Sequence, residues 1–276
     1  MKKFTVKENT TLKDFTDATY PQGSFAFNAL LKKGDIRVNG VRQRANCAVA
    51  EGDEVVYYTT PAQEAKPSHS VIYEDENIYV ADKLSGVSSE ALFSELSEKC
   101  GCLPVHRLDR NTCGLIVLAK NEGVQAQLLA AFKERAVEKV YLCFAKNAFR
   151  VDSDVLTAYA IKNAESGRVR VYDSPADGRV KMVTEYEVLE KRGDIALVKV
   201  ILHTGKTHQI RAHLAHIGCP VLGDCKYGDF ALNKKYRLTR QILVSYSLKF
   251  NLAGNLSYLN GKTFTSGFTP ENLLKQ

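Results

Sequence analysis

One carboxylate stands between two guanidinium groups in residues 105–120, VHRLDRNTCGLIVLAK: Asp109, with Arg107 two positions before it and Arg110 directly after. An acid so placed has two readings. It is a surface ion pair worth at most about 1 kcal/mol, or it is an ionised nucleophile or base held among cations. His106, Asn111 and Thr112 complete a dense polar cluster, and after Gly114 the run turns apolar, Leu115-Ile116-Val117-Leu118-Ala119. Five apolar residues with β-branched members, bounded by Gly and Lys, read as a buried strand. The strand delivers the polar loop to a sheet edge, a common place for chemistry.

A second cluster fills residues 203–220, HTGKTHQIRAHLAHIGCP. Four histidines (His203, His208, His213, His216) invite a metal reading, but His208 and His213 are five apart and no H-E-x-x-H or Cys pair completes a tetrahedral set. The sequence therefore assigns no metal. Thr207 is the expected N-cap of a helix with Ile210, Leu214 and Ile217 on one face, ended by Gly218 and followed by Pro220. Arg211 falls in its first turn, where the helix dipole does not favour a cation, so an acidic partner from elsewhere is expected.

The stretch His106-Arg107-Leu108-Asp109, continued by Thr112-Cys113-Gly114-Leu115, resembles the signature H-R-L-D-x-x-T-S-G-L of the RluA-type pseudouridine synthases, with Cys113 where the family usually has Ser. Lys139-Val140-Tyr141 is similar to the family's second motif. Residues 205–214 resemble its third, G-R-T-H-Q-I-R-x-H-L, and residues 218–224 the G-x-P-x-x-G-D that follows. Lys206 replaces the usual Arg, keeping the charge but not the planar fork. Asp82-Lys83-Leu84-Ser85-Gly86 resembles the first motif, with Leu84 in place of Pro. The resemblance implies isomerisation of uridine to pseudouridine in a structured RNA, ribosomal RNA foremost and transfer RNA as the other candidate. It implies Asp109 as the catalytic residue, acting at the sugar or at the base. Tyr141 would stack on the uracil and Arg211 would pair with the aspartate. A uridine flipped from its stack supplies the reacting atoms. No redox change or group transfer occurs, so no cofactor is expected. Arg107, Arg110, Lys206 and His208 are the expected RNA contacts around these motifs. The alternative reading is an inactive RNA-binding or assembly factor of the same fold; an intact Asp109, Tyr141 and Arg211 argue against it.

The elements that must position these residues are legible in part. Residues 1–60 read as a small α/β unit. Leu12, Phe15 and Ala18 fall at helical spacing behind Thr10 or Thr11, and a second helix spans residues 24–33, with Phe27, Leu30 and Leu31 apolar and Gly34 as its stop. Ile36-Arg37-Val38, Asn39-Gly40 and Val41 read as a hairpin, and a last strand covers 55–58. Lys32, Lys33, Arg37, Arg42 and Arg44 form a basic patch against the single acid Asp35, of the kind that releases counterions from nucleic acid. The order resembles the small RNA-binding module named after the S-four ribosomal protein, which adds Asn39 to the expected RNA contacts. Residues 61–70 read as a linker. Residues 71–276 read as the catalytic domain. It opens with strands around 71–73 and 78–81 and a helix over 89–98. A helix over 121–135 follows, with Val124, Leu128, Leu129 and Phe132 inward, and then strands at 137–145, 155–161, 195–202 and 241–250. Val180, Met182, Thr184, Tyr186 and Val188 alternate with polar residues, the pattern of a half-buried strand. The expected class is α+β: a mixed, mainly antiparallel sheet flanked by helices, with a small N-terminal α/β RNA-binding domain.

Composition agrees with a globular chain: 276 residues, 45% hydrophobic, 25% charged, net charge +7. The excess of base suits a polyanion without requiring one. Apolar runs are too short for a membrane span, and Met1-Lys2-Lys3-Phe4 leads into polar residues rather than a signal core. A cytoplasmic protein without disulfides is expected from an odd number of scattered cysteines and no CxxC, and nothing in the sequence demands more than a monomer.

Overall fold

The structure, a computed structural model, describes residues 1–163 and 167–275. By contacts the chain divides into two compact units, Met1–Arg110 with Val117–Gln125, and Asn111–Ile116 with Ala126–Gln276.

The first unit opens with β1 (Lys2–Thr5), β2 (Thr10–Thr11), α1 (Leu12–Thr19), α2 (Pro21–Lys33), β3 (Ile36–Val38), β4 (Val41–Gln43), β5 (Ala48–Val49) and β6 (Glu54–Tyr57). Strands β1-β6-β3-β4 form an antiparallel sheet. Thr11 caps α1 through Asp14 N, and α2 stops at Gly34 in the left-handed region (φ +73°). Asn39 and Gly40 both have positive φ, +48° and +80°, the backbone a two-residue hairpin of the right twist requires. Leu12, Phe15, Phe27, Leu30, Ile36, Val55 and Tyr57 close one core.

Residues 61–70 are not featureless. They hold a one-turn helix, α3 (Pro61–Glu64), with a complete Thr60–Gln63 capping box, and the start of β7 (His69–Glu74). β7 pairs antiparallel with β8 (Ile78–Lys83), every residue of which is buried. Then come α4 (Ser89–Cys100) and β9 (Leu103–Pro104). Helix α1 packs on α4. β9 pairs with Leu118 and Ala119, the far end of β10 (Cys113–Ala119). All seven β10 residues are buried, as the apolar run implies.

The near end of β10 belongs to the second unit, where Cys113 and Gly114 run parallel to Val244 and Ser245 of a later strand. A Cβ on Gly114 would lie 2.3 Å from Ser245 O, so this register admits only glycine. The helix α5 (Glu122–Lys133) follows, its start capped by Asn121 Oδ1 on Val124 N at 2.9 Å. Next are β11 (Val137–Lys146), β12 (Ser153–Lys162), β13 (Val169–Tyr172), β14 (Val180–Arg192), β15 (Ile195–Leu202), α6 (Gln209–His216), α7 (Phe230–Lys235), β16 (Leu243–Phe250), β17 (Thr263–Thr265) and α8 (Pro270–Leu274). The sheet order is β13-β12-β14-β15-β11-β16, with antiparallel neighbours throughout. The architecture is mixed α+β, mainly antiparallel, and the β10–β16 pair is parallel. Among the described residues no helix is long and apolar enough to cross a membrane.

Two expected inward positions face out. Leu129 on α5 is 46% exposed and Val180 on β14 is 47% exposed. Val124, Leu128 and Ala131 already fill the apolar stripe of α5, leaving Leu129 on its flank. Along β14 the alternation holds for Met182, Thr184 and Tyr186, then breaks at a register shift between Val188 and Glu190.

Candidate active site

The loop that carries Asp109 is held through its neighbours. Ser89, fully buried at the first position of α4, grips both sides of residue 108: its Oγ accepts from Leu108 N at 2.9 Å and donates to Leu108 O at 2.8 Å. On the other side, Arg110 O accepts from Gly86 N at 2.9 Å and from Lys83 Nζ at 3.1 Å. The ammonium of Lys83 is fully buried and also donates to Val87 O (2.7 Å) and Leu84 O (3.1 Å). A buried cation is tolerated only where oxygens replace its water; here backbone carbonyls do so and join the Leu84–Val87 turn to the loop. The turn thus holds its shape without the proline usual at residue 84. His106 Nε2 accepts from Val117 N at 3.0 Å. Between these fixed points lies Asp109, half-buried.

The flanking arginines do not remain as a pair around Asp109. The Arg110 guanidinium makes a bidentate ion pair with Asp17 on α1 and donates to Ser24 Oγ at 2.7 Å. Asp17 is 7% exposed and also receives Lys13 Nζ and Ser24 Oγ, each at 2.6 Å. A nearly buried carboxylate needs paired donors, and Arg110, expected as an RNA contact, is one of them, with its side chain 33% exposed. Arg107 is paired with Glu90 at 2.8 Å, with its side chain 71% exposed, and stays at the surface.

In the second unit Arg211 is 8% exposed on α6. Its Nε and Nη2 donate to the two carboxylate oxygens of Asp224 at 2.7 and 3.0 Å, the planar two-point geometry of guanidinium and carboxylate. Asp224 is thus an acidic partner of Arg211 from outside its helix. Asp224 is fully buried, and its Oδ1 also accepts from Lys226 N (2.7 Å) and Tyr227 N (3.1 Å). Burial by itself would raise its pKa; the bonds and charge of Arg211 and the two amides outweigh it and hold the carboxyl below the usual range. Gly223 precedes it at φ +79°, and a Cβ there would lie 2.0 Å from Arg240 O, so the turn that presents Asp224 requires glycine. Asp224 is a site residue that the sequence patterns leave without a role, although it ends the G-x-P-x-x-G-D run.

The start of α6 departs from expectation. Residue 207 is not the cap; His208 is, in the left-handed region (φ +53°) and without a side-chain cap bond. The Gln209 side chain instead ties the turn before the helix to β14. Its Oε1 accepts from Lys206 N (3.0 Å) and Thr204 Oγ1 (2.8 Å), while its Nε2 donates to Val183 O (3.0 Å) and Thr184 Oγ1 (2.9 Å). His208 Nδ1 meets Tyr227 OH at 2.8 Å, and the same hydroxyl accepts from Val169 N at 2.7 Å. The Arg211 guanidinium lies 5.3 Å from the centre of the Tyr227 ring. Lys206 is exposed. Tyr141 sits on β11, 6% exposed, where the neighbouring β16 carries a bulge that leaves Tyr246 out of the ladder between Ser245 and Ser247.

The four clustered histidines have four different partners: His203 Nε2 with Glu185 (2.8 Å), His208 with Tyr227, His213 Nδ1 with Thr184 (2.9 Å) and His216 Nε2 with Asp173 (2.7 Å). His213 is 1% exposed, and burial, helped by the nearby His216, pushes its pKa down to about 4. The unfolded value is about 6.5, so the folded state resists the proton that the unfolded chain accepts. This contribution to stability is complete above about pH 6.5 and is lost as pH falls toward 4. Between pH 7 and pH 4.5 wild type should lose about 2–3 kcal/mol that a His213→Asn variant does not lose. Urea midpoints at the two pH values measure this; equal losses in both proteins would refute it.

In the N-terminal patch Lys32, Lys33, Arg42 and Arg44 are exposed. Arg37 lies across the ladder from Arg42 and stacks on Tyr58 at 5.0 Å. Asn39 is occupied within the fold: Nδ2 donates to Asp53 Oδ1 (2.8 Å) and Oδ1 accepts from Glu54 N (2.9 Å). The amide ties the hairpin turn to β6, and the residue itself stays exposed.

With this geometry in place, comparison with known proteins defines the class. A sequence model described as RNA pseudouridylate synthase matches residues 65–216, and the chain belongs to that family. It is an RNA pseudouridine synthase, an isomerase that converts uridine to pseudouridine in RNA. Among its relatives are an uncharacterized RNA pseudouridine synthase of Aquifex aeolicus, 34% identical over 80% of this chain and 78% of the relative, and the ribosomal large subunit pseudouridine synthase C of Vibrio cholerae, 28% identical over 80% and 78%. The fold is shared with human RNA pseudouridylate synthase domain containing 4, at a TM-score of 0.60, 21% identity, and coverage of 74% of this chain and 90% of that one.

Proposed function

We propose that this enzyme isomerises specific uridines of ribosomal RNA, with Asp109 acting on a uridine turned out of its stack. The observation that carries the assignment is the clamping of residues 108 and 110 by Ser89, Gly86 and Lys83, which fixes the backbone on both sides of Asp109 and leaves its carboxylate on a preorganised loop. The chemistry asks little else of the protein. The bond from ribose to uracil N1 breaks, the ring turns, a bond forms to C5, the C5 proton leaves and N1 takes up a proton. Asp109 supplies the ionised oxygen that begins this at the sugar or the base. Tyr141 stacks on the uracil, and Arg211, held flat by Asp224, orients the aspartate's charge. The exposed cations Lys32, Lys33, Arg42 and Arg44, with Arg37, Arg107 and Lys206, grip the RNA backbone. Residues 1–60 serve as the RNA-binding module and residues 71–276 as the catalytic part. The printed names of the relatives that act on the large ribosomal subunit support this choice of RNA.

The test is a strain lacking the protein, with pseudouridines mapped by chemical labelling in ribosomal and transfer RNA. At least one ribosomal site should disappear and return with the wild-type gene. Loss confined to transfer RNA would overturn the ribosomal assignment.

A further inference from the structure

Two of the seven cysteines are in contact. Cys100 is the last residue of α4, Gly101 turns the chain in the left-handed region at φ +66°, and Cys102 begins the next segment. The turn is fastened by Gly101 N to Ser97 O (3.0 Å) and Cys102 N to Leu96 O (3.3 Å), so the helix end itself sets both cysteines on one side. Their sulfurs are 3.2 Å apart, closer than two sulfurs rest in ordinary packing and about 1 Å from bonding distance. Both are free thiols, and they differ in access: Cys100 is partly exposed and Cys102 is buried.

We propose that Cys100 and Cys102 form a redox-active dithiol, a modification site that a small disulfide of the glutathione type closes to an intramolecular disulfide. Cys100, the accessible sulfur, attacks as its thiolate one sulfur of the oxidant and releases one thiol. Cys102, after losing its proton, attacks Cys100 Sγ in the resulting mixed disulfide and releases the second thiol. The protein loses two protons and two electrons, and the oxidant takes them up as two thiols. The order follows from access, and burial agrees, since it pushes the Cys102 thiol up to about 12. The bond would not act as a structural staple. Cross-linking residues separated by a single glycine removes little entropy from the unfolded chain, so closure should leave the denaturation midpoint nearly unchanged. Its position gives it reach. Cys102 leads directly into β9 and the loop 105–110, while Ser89, at the other end of α4, holds Leu108 in that loop. A covalent change at the helix end is therefore continuous with the segment bearing Asp109.

Tryptic cleavage after Lys99 and Arg107 isolates both cysteines in the peptide 100–107. The full-length protein is equilibrated with oxidised and reduced glutathione at several ratios, unfolded, alkylated and digested. The expected product is a peptide without alkyl groups, about 2 Da lighter than the free dithiol, which reverts on reduction, at ratios where exposed Cys225 carries glutathione. In Cys102→Ser the same conditions should leave glutathione on Cys100. A wild-type peptide that takes two alkyl groups at every ratio, or that keeps glutathione on Cys100 without resolving it, would overturn the proposal. The wild-type measurement decides the matter even if the variant folds poorly, and it is independent of which RNA the enzyme modifies.

Discussion

Asp109→Asn should lower the rate of pseudouridine formation by on the order of 10⁴-fold or more, the scale on which removal of an attacking or proton-abstracting group falls, while the protein stays folded. Asn keeps the shape of the side chain and removes its charge. The contacts that hold the loop act on Leu108 and Arg110, through Ser89, Gly86, Lys83 and Asp17, and the substitution touches none of those atoms. Loss of turnover can thus be separated from loss of fold. Release of tritium from RNA carrying 5-tritiated uridine follows departure of the C5 proton, and filter binding of the same RNA measures affinity. Turnover within tenfold of wild type would remove Asp109 from the chemistry. A folded variant that fails to bind RNA would recast it as a binding residue.

The part of the fold that is legible in the sequence is local. The apolar run of β10, the Asn39-Gly40 turn, the Gly34 stop and the Asn121 cap depend on residues near one another in the chain. Local rules name them, and the structure contains them. The supports of the loop cannot be found in this way. Asp17 and Arg110 lie 93 residues apart and Lys83 and Arg110 lie 27 apart; no periodicity joins them, and each reads alone as an ordinary surface charge. Arg211 shows both sides. Its place in the first turn of a helix demands an acid, which is local physics, but the choice of Asp224 comes from the turn at Gly223. Thr207 fails as a cap because Gln209, with four side-chain bonds of its own, fixes the helix start one residue later. Propensity is a weak prior against such a network.

Asp224→Ala should cost about 3–5 kcal/mol of stability, because it takes from the buried guanidinium of Arg211 the carboxylate that binds it at two points. The same carboxylate has amide donors from Lys226 and Tyr227, so the turn leading to Tyr227 loosens as well, and with it the hydroxyl shared by His208 and Val169. Asp224→Asn should cost less, since it keeps the volume and one acceptor. The carboxyl titrates below its ordinary range in the folded protein, so the stability it contributes is present above about pH 4 and is lost as pH falls through the lower folded value. Alanine at residue 224 should remove that acid-side loss. A double replacement, Arg211→Met with Asp224→Leu, separates the two uses of the pair. Removing both charges in favour of apolar side chains of similar size should recover much of the stability lost by Asp224→Ala, yet leave turnover as low as in Arg211→Ala, because a thioether cannot orient a carboxylate. Urea midpoints and the tritium assay on the four proteins decide it. A loss below about 1 kcal/mol in Asp224→Ala would show that water solvates Arg211 and that the pair is not structural. Full turnover in the double variant would show that Arg211 serves the fold alone.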